Sequence, residues 1–272
     1  MTETSAHTRS PHFSRDATAA TYRDIHLPRV FTPWARVLVE VVPAQQGESV
    51  LDVATGPGTV AREAARLVGP YGTVVGADIS AAMLAVGRDW PAEPGAASIQ
   101  YVEAPGTQMP LPDAAFDVAY CQQGLQHMAD PDAALREILR LLKPGGRLGV
   151  ALWKQSPFGL FRQAVAELGL SADGPQPSEF GRDPEQLTSA LRAAGFADIQ
   201  VQTREITSIL EGGPPQALQV AIATSAAATM QDMPQAQQDA IRAAILRAVE
   251  PLVQSDGVHL KSISNIAAAR KP

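Results

Sequence analysis

The chain has 272 residues, 45% of them hydrophobic, with a formal net charge of −6. That length and apolar content suit one large globular domain, or one domain with an appendage. The negative balance and the lack of any Lys/Arg run argue against a nucleic-acid partner, which calls for a basic stripe. A single cysteine, Cys121, excludes an internal disulfide and points to a reducing, cytoplasmic compartment. Residues 1–16 lack the apolar segment of a signal peptide, and no apolar run approaches bilayer length, so no membrane association is expected.

Residues 1–20 are Ser-, Thr-, Ala- and His-rich and are expected to fray at their start. From Tyr22 to Val42 an amphipathic pattern follows (Ile25, Leu27, Val30, Phe31, Trp34, Val37, Leu38, Val41), which Pro28 and Pro33 should divide into two short helices. Residues 49–54 form a short apolar run suited to a buried parallel strand. Gly56, Pro57 and Gly58 turn the chain, and residues 59–68 resume with helical spacing. A second strand is predicted over 73–77, then a helix over 81–88 capped by Ser80, and a third strand over 99–103. Residues 116–121 read as a fourth strand, 132–142 as a helix ended by Lys143-Pro144-Gly145-Gly146, and 147–153 as a fifth strand. Beyond it come short helices over 158–168 and 184–194 and a sixth strand over 198–209. Residues 216–253 are Ala- and Gln-rich and helical in pattern, split at Met233-Pro234, and 259–269 reads as the last strand. The β, α, β, α alternation predicts a parallel sheet flanked by helices.

The chemistry concentrates at the first turn. A strand, a glycine bend and a helix N-terminus let a ligand approach the backbone and favour a nucleotide-like group at the carboxyl end of the sheet. About twenty residues beyond Gly58, Asp78 closes the second strand, where a carboxylate accepts hydrogen bonds from ribose hydroxyls. Glycines and an acid alone also describe a dinucleotide site, and an NAD-dependent oxidoreductase is the rival of the same architecture. Asp52, inside the first strand ahead of the turn, is not required by that pattern.

With Asp52 in Leu51-Asp52-Val53-Ala54-Thr55-Gly56-Pro57-Gly58, followed by Ala77-Asp78-Ile79-Ser80, the chain resembles the class I S-adenosylmethionine-dependent methyltransferases. Phe116-Asp117-Val118-Ala119-Tyr120 and Leu141-Leu142-Lys143-Pro144-Gly145-Gly146-Arg147-Leu148 resemble the quinone-biosynthesis-type small-molecule members. The resemblance runs from about Tyr22 to Trp153 and implies a Rossmann-like, seven-stranded, mostly parallel α/β sheet with an antiparallel last strand and helices on both faces. It also implies a helical cap over residues 1–48 and a methyltransferase domain over 49–272; where that fold has a hairpin before the last strand, the long helical stretch in this chain predicts an insertion at 212–256. That insertion is expected to serve as a substrate lid, with contact in a homodimer as the competing use.

By the same resemblance, Tyr22 reaches the methionine carboxylate, Asp52 orders the ammonium end, and Ala54, Gly56 and Gly58 line the methionine portion. Asp78 takes the ribose, and Ile79 and Met83 flank the adenine. Gln122 offers its backbone carbonyl to the amino group. Pro105 stands where the family has an adenine-binding acid or amide, so adenine recognition falls to the backbone of Gly106 and Thr107, or to Glu103 or Gln108 shifted inward. Gln123, Gln126 and His127 follow near the transferred methyl. His127 is the candidate general base, set against a solvent-facing role, and Cys121 reads as a buried small residue. No metal site is expected. The implied activity is methyl transfer from S-adenosylmethionine to O, C or N of a small, largely apolar acceptor in secondary metabolism. Quinone-ring C-methylation and cyclisation on a methyltransferase fold remain as alternatives.

Overall fold

The computed structural model describes residues 22–170, 178–223 and 225–272. Residues 1–21 and the side chain of Tyr22 lie outside that description, and with them the expectations placed there.

The apolar pattern after Tyr22 winds as a π-helical stretch, Tyr22–Phe31, with Pro28 inside it, and continues as α1, Thr32–Val41, with Pro33 in its first turn. Pro33 sits where a missing N–H is not needed. The expected break at Pro28 does not occur, because the wider turn accommodates both the ring and the lost donor. Trp34, Leu38 and Val39 of α1 are buried, and the Trp34 indole donates to Ser262 Oγ at 3.0 Å.

Eight strands form one sheet in the order β3-β2-β1-β4-β5-β8-β6, with the two-residue β7 (Val253–Gln254) paired to β8. β1 (Ser49–Val53), β2 (Thr73–Asp78), β3 (Ile99–Glu103), β4 (Phe116–Gln122) and β5 (Leu142–Gln155) are parallel. β8 (Gly257–Arg270) runs antiparallel between β5 and β6 (Ala197–Leu210), so β6 ends at the same side of the sheet as β1 and β4. The fifth strand starts earlier than the sequence predicts. Leu142 already pairs with Phe116, and Lys143 to Gly146 bulge before Val118 meets Arg147. Lys143 Nζ binds both oxygens of Asp117 at 2.8 and 2.7 Å, and Asp117 also accepts from Ser49 N. The Asp117 and Lys143-Pro-Gly-Gly motifs therefore fasten the amino ends of the strands, away from the glycine bend.

Alternation along the strands sorts the core onto two faces. Leu51, Ala119, Leu148 and Val150 face α4 (Pro131–Leu141) and α6 (Pro184–Ala194), against Leu135, Ile138, Leu187 and Leu191. Val50, Val118, Tyr120 and Ala151 face α1 and α2 (Thr59–Val68), against Trp34, Leu38, Val60 and Ala64. α3 (Ala81–Asp89) follows β2 and is capped by Ser80 Oγ, as predicted.

A third cluster stands apart from both faces. Between β6 and β8 the chain forms α7 (Gly213–Ile222), a short turn of 3-10 helix and α8 (Gln235–Val249), which pack with α5 (Leu160–Glu167) around Phe161, Val165, Leu210, Val220, Met230, Ile241, Ile245 and Leu260. Gly212, Gly213, Pro214 and Pro215 form the cap and first turn of α7, with proline at a position that donates no intrahelical bond. This insertion leaves β6 at the carboxyl end of the sheet and is bonded to the segment before α1. His26 Nε2 lies 3.2 Å from Val220 O, and Arg29 pairs with Glu211 at 3.0 Å. No helix of the described residues is long and apolar enough to cross a membrane.

Candidate active site at the carboxyl ends of β1, β2 and β4

β1 delivers Asp52 into the interior, where it is 1% exposed. Its Oδ2 accepts from Thr55 Oγ1 at 2.6 Å and from Ala61 N at 2.9 Å, so one oxygen joins the strand, the bend and the first turn of α2. Burial raises its pKa to about 7 against the opposing pull of these two bonds, and the neighbouring Asp78 charge raises it further. Thr55, three residues after Asp52, was not singled out in the sequence. The spacing that presents its hydroxyl to Asp52 is visible there only once the bend is known.

The bend holds three left-handed residues at alternate positions. Ala54 has φ 55°, Gly56 54° and Gly58 90°. At Gly56 a Cβ would meet open space, so glycine answers the backbone angle alone. At Gly58 a Cβ would collide with the Tyr101 hydroxyl, so glycine answers both angle and room. Tyr101, from β3, is a second residue that the sequence did not mark. Ala54 has no such freedom, and a non-glycine residue in this region stores strain of the sort found at ligand sites.

Asp78 ends β2 half-buried, with Oδ2 accepting from Gly56 N at 2.8 Å and Oδ1 from Ser80 N at 2.8 Å. Burial raises its pKa, and the backbone donors Ser80, Gly56 and Ile79 oppose that rise. Each carboxylate oxygen accepts one of these bonds and retains further acceptor capacity. Asp78 thus ties the glycine bend to the start of α3 and still offers acceptors to a diol. Beside it Ile79 is 53% exposed while Met83 is buried, so Ile79 presents an open apolar surface and Met83 supports it from below.

After β3, Pro105 opens a turn in which Gln108 N donates to Pro105 O at 3.0 Å. The turn leaves the N–H groups of Gly106 and Thr107 unused by itself. Gly106 also has no room for a side chain, since a Cβ would press on Met128. Glu103, Thr107 and Gln108 are exposed.

At the end of β4, Gln122 turns its amide outward to Phe31 O at 3.0 Å and so grips the segment before α1. Gln123 has φ 57°. Its N–H donates to Ala151 O at 2.7 Å and its Nε2 to Ser264 Oγ at 3.0 Å. Gly124 packs so closely on Ala54 that a Cβ would stand 2.6 Å from the alanine methyl. The strained ends of β1 and β4 are thereby in direct contact. Gln126 is 3% exposed and accepts from Trp153 N at 3.0 Å. His127, on the turn Leu125–His127, is exposed, although the surrounding protein lowers its pKa by desolvation. Burial pushes the Cys121 thiol up to about 12, which leaves it inert.

His127 is not the only histidine near this end. His26 is buried, stacks 5.0 Å from the Phe158 ring, and has its pKa lowered to about 4 by burial. Phe158 in turn meets Phe31 at 5.6 Å, and Trp153 meets Phe31, Phe158 and Trp34. These rings come from two stretches of sequence far apart in the chain, 26–34 and 153–158, and no spacing rule links them.

The ubiE/COQ5 methyltransferase family model matches residues 24–168, just over half of the chain. The chain belongs to the ubiE/COQ5 methyltransferase family. The match runs from the π-helical cap through α5 and takes in every strand-end residue above, while α7 and α8 fall beyond it. The ubiquinone/menaquinone biosynthesis C-methyltransferase of Stutzerimonas stutzeri is 41% identical over 132 residues, 48% of this chain and 52% of that protein. The chain therefore spans about half the length of that relative. Among solved structures, the [4+2]-cyclase SpnF is similar over 89% of this chain and 80% of its own, with 26% identity and a TM-score of 0.57. The Haemonchus contortus phosphoethanolamine N-methyltransferase 2, solved with S-adenosylhomocysteine, is similar over 87% of this chain and 52% of its own, at 22% identity and a TM-score of 0.51. That likeness is one of fold.

Proposed function

We propose that this member of the family binds S-adenosylmethionine at the ends of β1, β2 and β4 and transfers its methyl group to an O, C or N nucleophile of a small, largely apolar acceptor. The observation that carries the reading is Asp78, held by Gly56 N–H and Ser80 N–H with acceptor capacity left for both ribose hydroxyls. Asp52, buried next to the left-handed bend, supplies negative charge for a cationic cofactor. Ile79 offers the adenine a face, and Gly106 and Thr107 offer it N–H donors. The sulfonium brings an already activated methyl group, so the chain's task is alignment. Near-attack positioning is worth roughly 7–11 kcal/mol of barrier.

The insertion formed by α7 and α8 acts in this reading as the lid, tied to the cap through His26–Val220 and Arg29–Glu211. Because the family match stops before it, the acceptor is not carried over from quinone biosynthesis. His127 serves as base only if the acceptor reaches the surface turn on which it sits. Calorimetric titration with S-adenosylmethionine tests the site, and a methyl gain in product mass tests the reaction. A second reading, cyclisation with the cofactor as a bound electrostatic element, draws on the likeness to SpnF across most of this chain. A product formed without that mass gain would select it.

A further inference from the structure

One side chain lies against both the glycine bend and α3. Tyr101 stands level with Gly76 of β2 and is half-buried. The edge of its ring, Cζ and Cε1, occupies the space that a side chain would need at two glycines. A Cβ on Gly58 would lie 3.1 and 3.2 Å from those atoms and would collide with the hydroxyl. A Cβ on Gly87 would lie 2.7 and 2.9 Å from the same two atoms, and 2.9 Å from Pro57 O. Gly58 also has a backbone reason to be glycine, its φ of 90°. Gly87 has none, since it is buried inside α3 with no left-handed angle, where glycine is among the poorest helix formers. Its missing side chain is answered by the Tyr101 ring and the Pro57 carbonyl. The Tyr101 hydroxyl lies 3.5 Å from Pro57 O, too long to contribute much as a bond, so the packing of the ring carries the contact. Arg62 fastens the same two elements. Its N–H donates to Gly58 O at 2.9 Å, and its guanidinium donates to Gly87 O at 2.9 Å, Trp90 O at 3.0 Å and Pro91 O at 2.9 Å.

The geometry points to Tyr101 as a positioning residue for the cofactor, its ring serving as the spacer between the glycine bend and α3. Asp78 ties the start of α3 to Gly56 through the bonds from Gly56 N and Ser80 N. Tyr101 sets the separation further along, between Gly58 and Gly87. Two contacts fix the angle of the helix against the bend, where one alone would leave it free to pivot. That angle sets the distance between the groups assigned to the methionine portion and those assigned to the ribose and adenine. Tyr101 acts through the two glycines and not on the ligand. This deepens the S-adenosylmethionine reading and rests on it for the identity of the ligand.

The test is calorimetric titration of the full chain with S-adenosylhomocysteine, which spans both groups, and with adenosine, which reaches only one. Titrations are run well below the melting midpoint of each variant, so that affinity is read on folded protein. Tyr101→Ala removes the spacer, and Gly87→Ala drives it aside by overpacking. Each is expected to weaken S-adenosylhomocysteine about tenfold while adenosine changes by less than about twofold. Tyr101→Phe keeps the ring and should stay within about twofold of the wild type for both ligands. Because Tyr101→Ala deletes a large side chain and can fail to fold, Gly87→Ala carries the test by itself if needed. Wild-type affinity for S-adenosylhomocysteine in these two variants overturns the spacer role. So does an equal loss for adenosine, or a loss in Tyr101→Phe as large as in Tyr101→Ala. A wild-type chain that binds neither ligand overturns the S-adenosylmethionine reading itself, and the spacer role falls with it.

Discussion

Asp52 and Asp78 stand on directly paired strands, yet they answer to different physics. Asp78 keeps acceptor capacity for a ligand, so Asp78→Ala is expected to weaken S-adenosylmethionine binding by at least tenfold, the scale of a charge-assisted bond, as calorimetry would read. Unchanged affinity would remove the ribose from this carboxylate. Asp52 instead reports through pH. Its pKa of about 7 means that the carboxyl is mostly neutral below that value. A cationic cofactor favours the ionised form, so binding should release a proton and weaken as pH falls below about 7. The cofactor's carboxylate does not titrate near pH 7, but its α-amine, ordinarily at about 7.7–8.0, does so above it, and the comparison therefore stays below pH 7. Titrations at about pH 5.5 and about pH 6.8 in buffers of different ionisation enthalpy would measure the proton, and a pH-independent affinity would place Asp52 outside the binding equilibrium. The position of Asp78 at a strand end was legible in the sequence. The bracing by Thr55 and the packing of Tyr101 on Gly58 were not, since both depend on contacts between elements that no local spacing encodes.

Among the elements, the cap and the insertion are the pair whose contact matters most. Arg29–Glu211 is an exposed ion pair, 38% and 67% accessible, and contributes little in water. His26–Val220 is buried and carries the sign of a pH effect. His26 has a folded pKa of about 4, below its unfolded value of 6.5, so the unfolded chain takes up the proton first as pH falls. Stability is therefore full above pH 6.5 and lost between there and pH 4, by roughly 3 kcal/mol for a shift of this size. Thermal melts across that range should show a steeper acid limb for the wild type than for His26→Phe, and parallel curves would remove His26 from the account. The sequence announced the insertion through its length and its Ala-rich helical pattern. It misread the Pro28 stretch, because proline argues against an α-helix and is silent about a wider winding.

Taken whole, the molecule divides into a half that motifs describe and a half that they do not. The parallel strands and the glycine bend follow from alternation, and the antiparallel last strand from the family resemblance that four short motifs in order carry. The aromatic wall of His26, Phe31, Trp153 and Phe158 arises where the cap meets the end of β5, and only tertiary packing brings Phe31 and Trp153 together. Replacing Trp153 by Ala should cost about 3–5 kcal/mol of stability as a large buried side chain is deleted, with a smaller effect on cofactor affinity than Asp78→Ala. Chemical denaturation beside calorimetry would separate the two, and equal loss of both would join the wall to the cofactor site.

The placement of β8 has one more consequence. β6 touches the sheet only through β8, and so does everything strung between them. During synthesis the ribosome makes β6, α7 and α8 before the strand that can accept them exists. Until β8 slides into the gap, the nascent chain keeps an open edge on β5 and a loose arm of helices. Ser264 and Asn265 arrive with that last strand, so the bonds from Gln123 to Ser264 and from Asn265 to Gly181 form only as the sheet is closed.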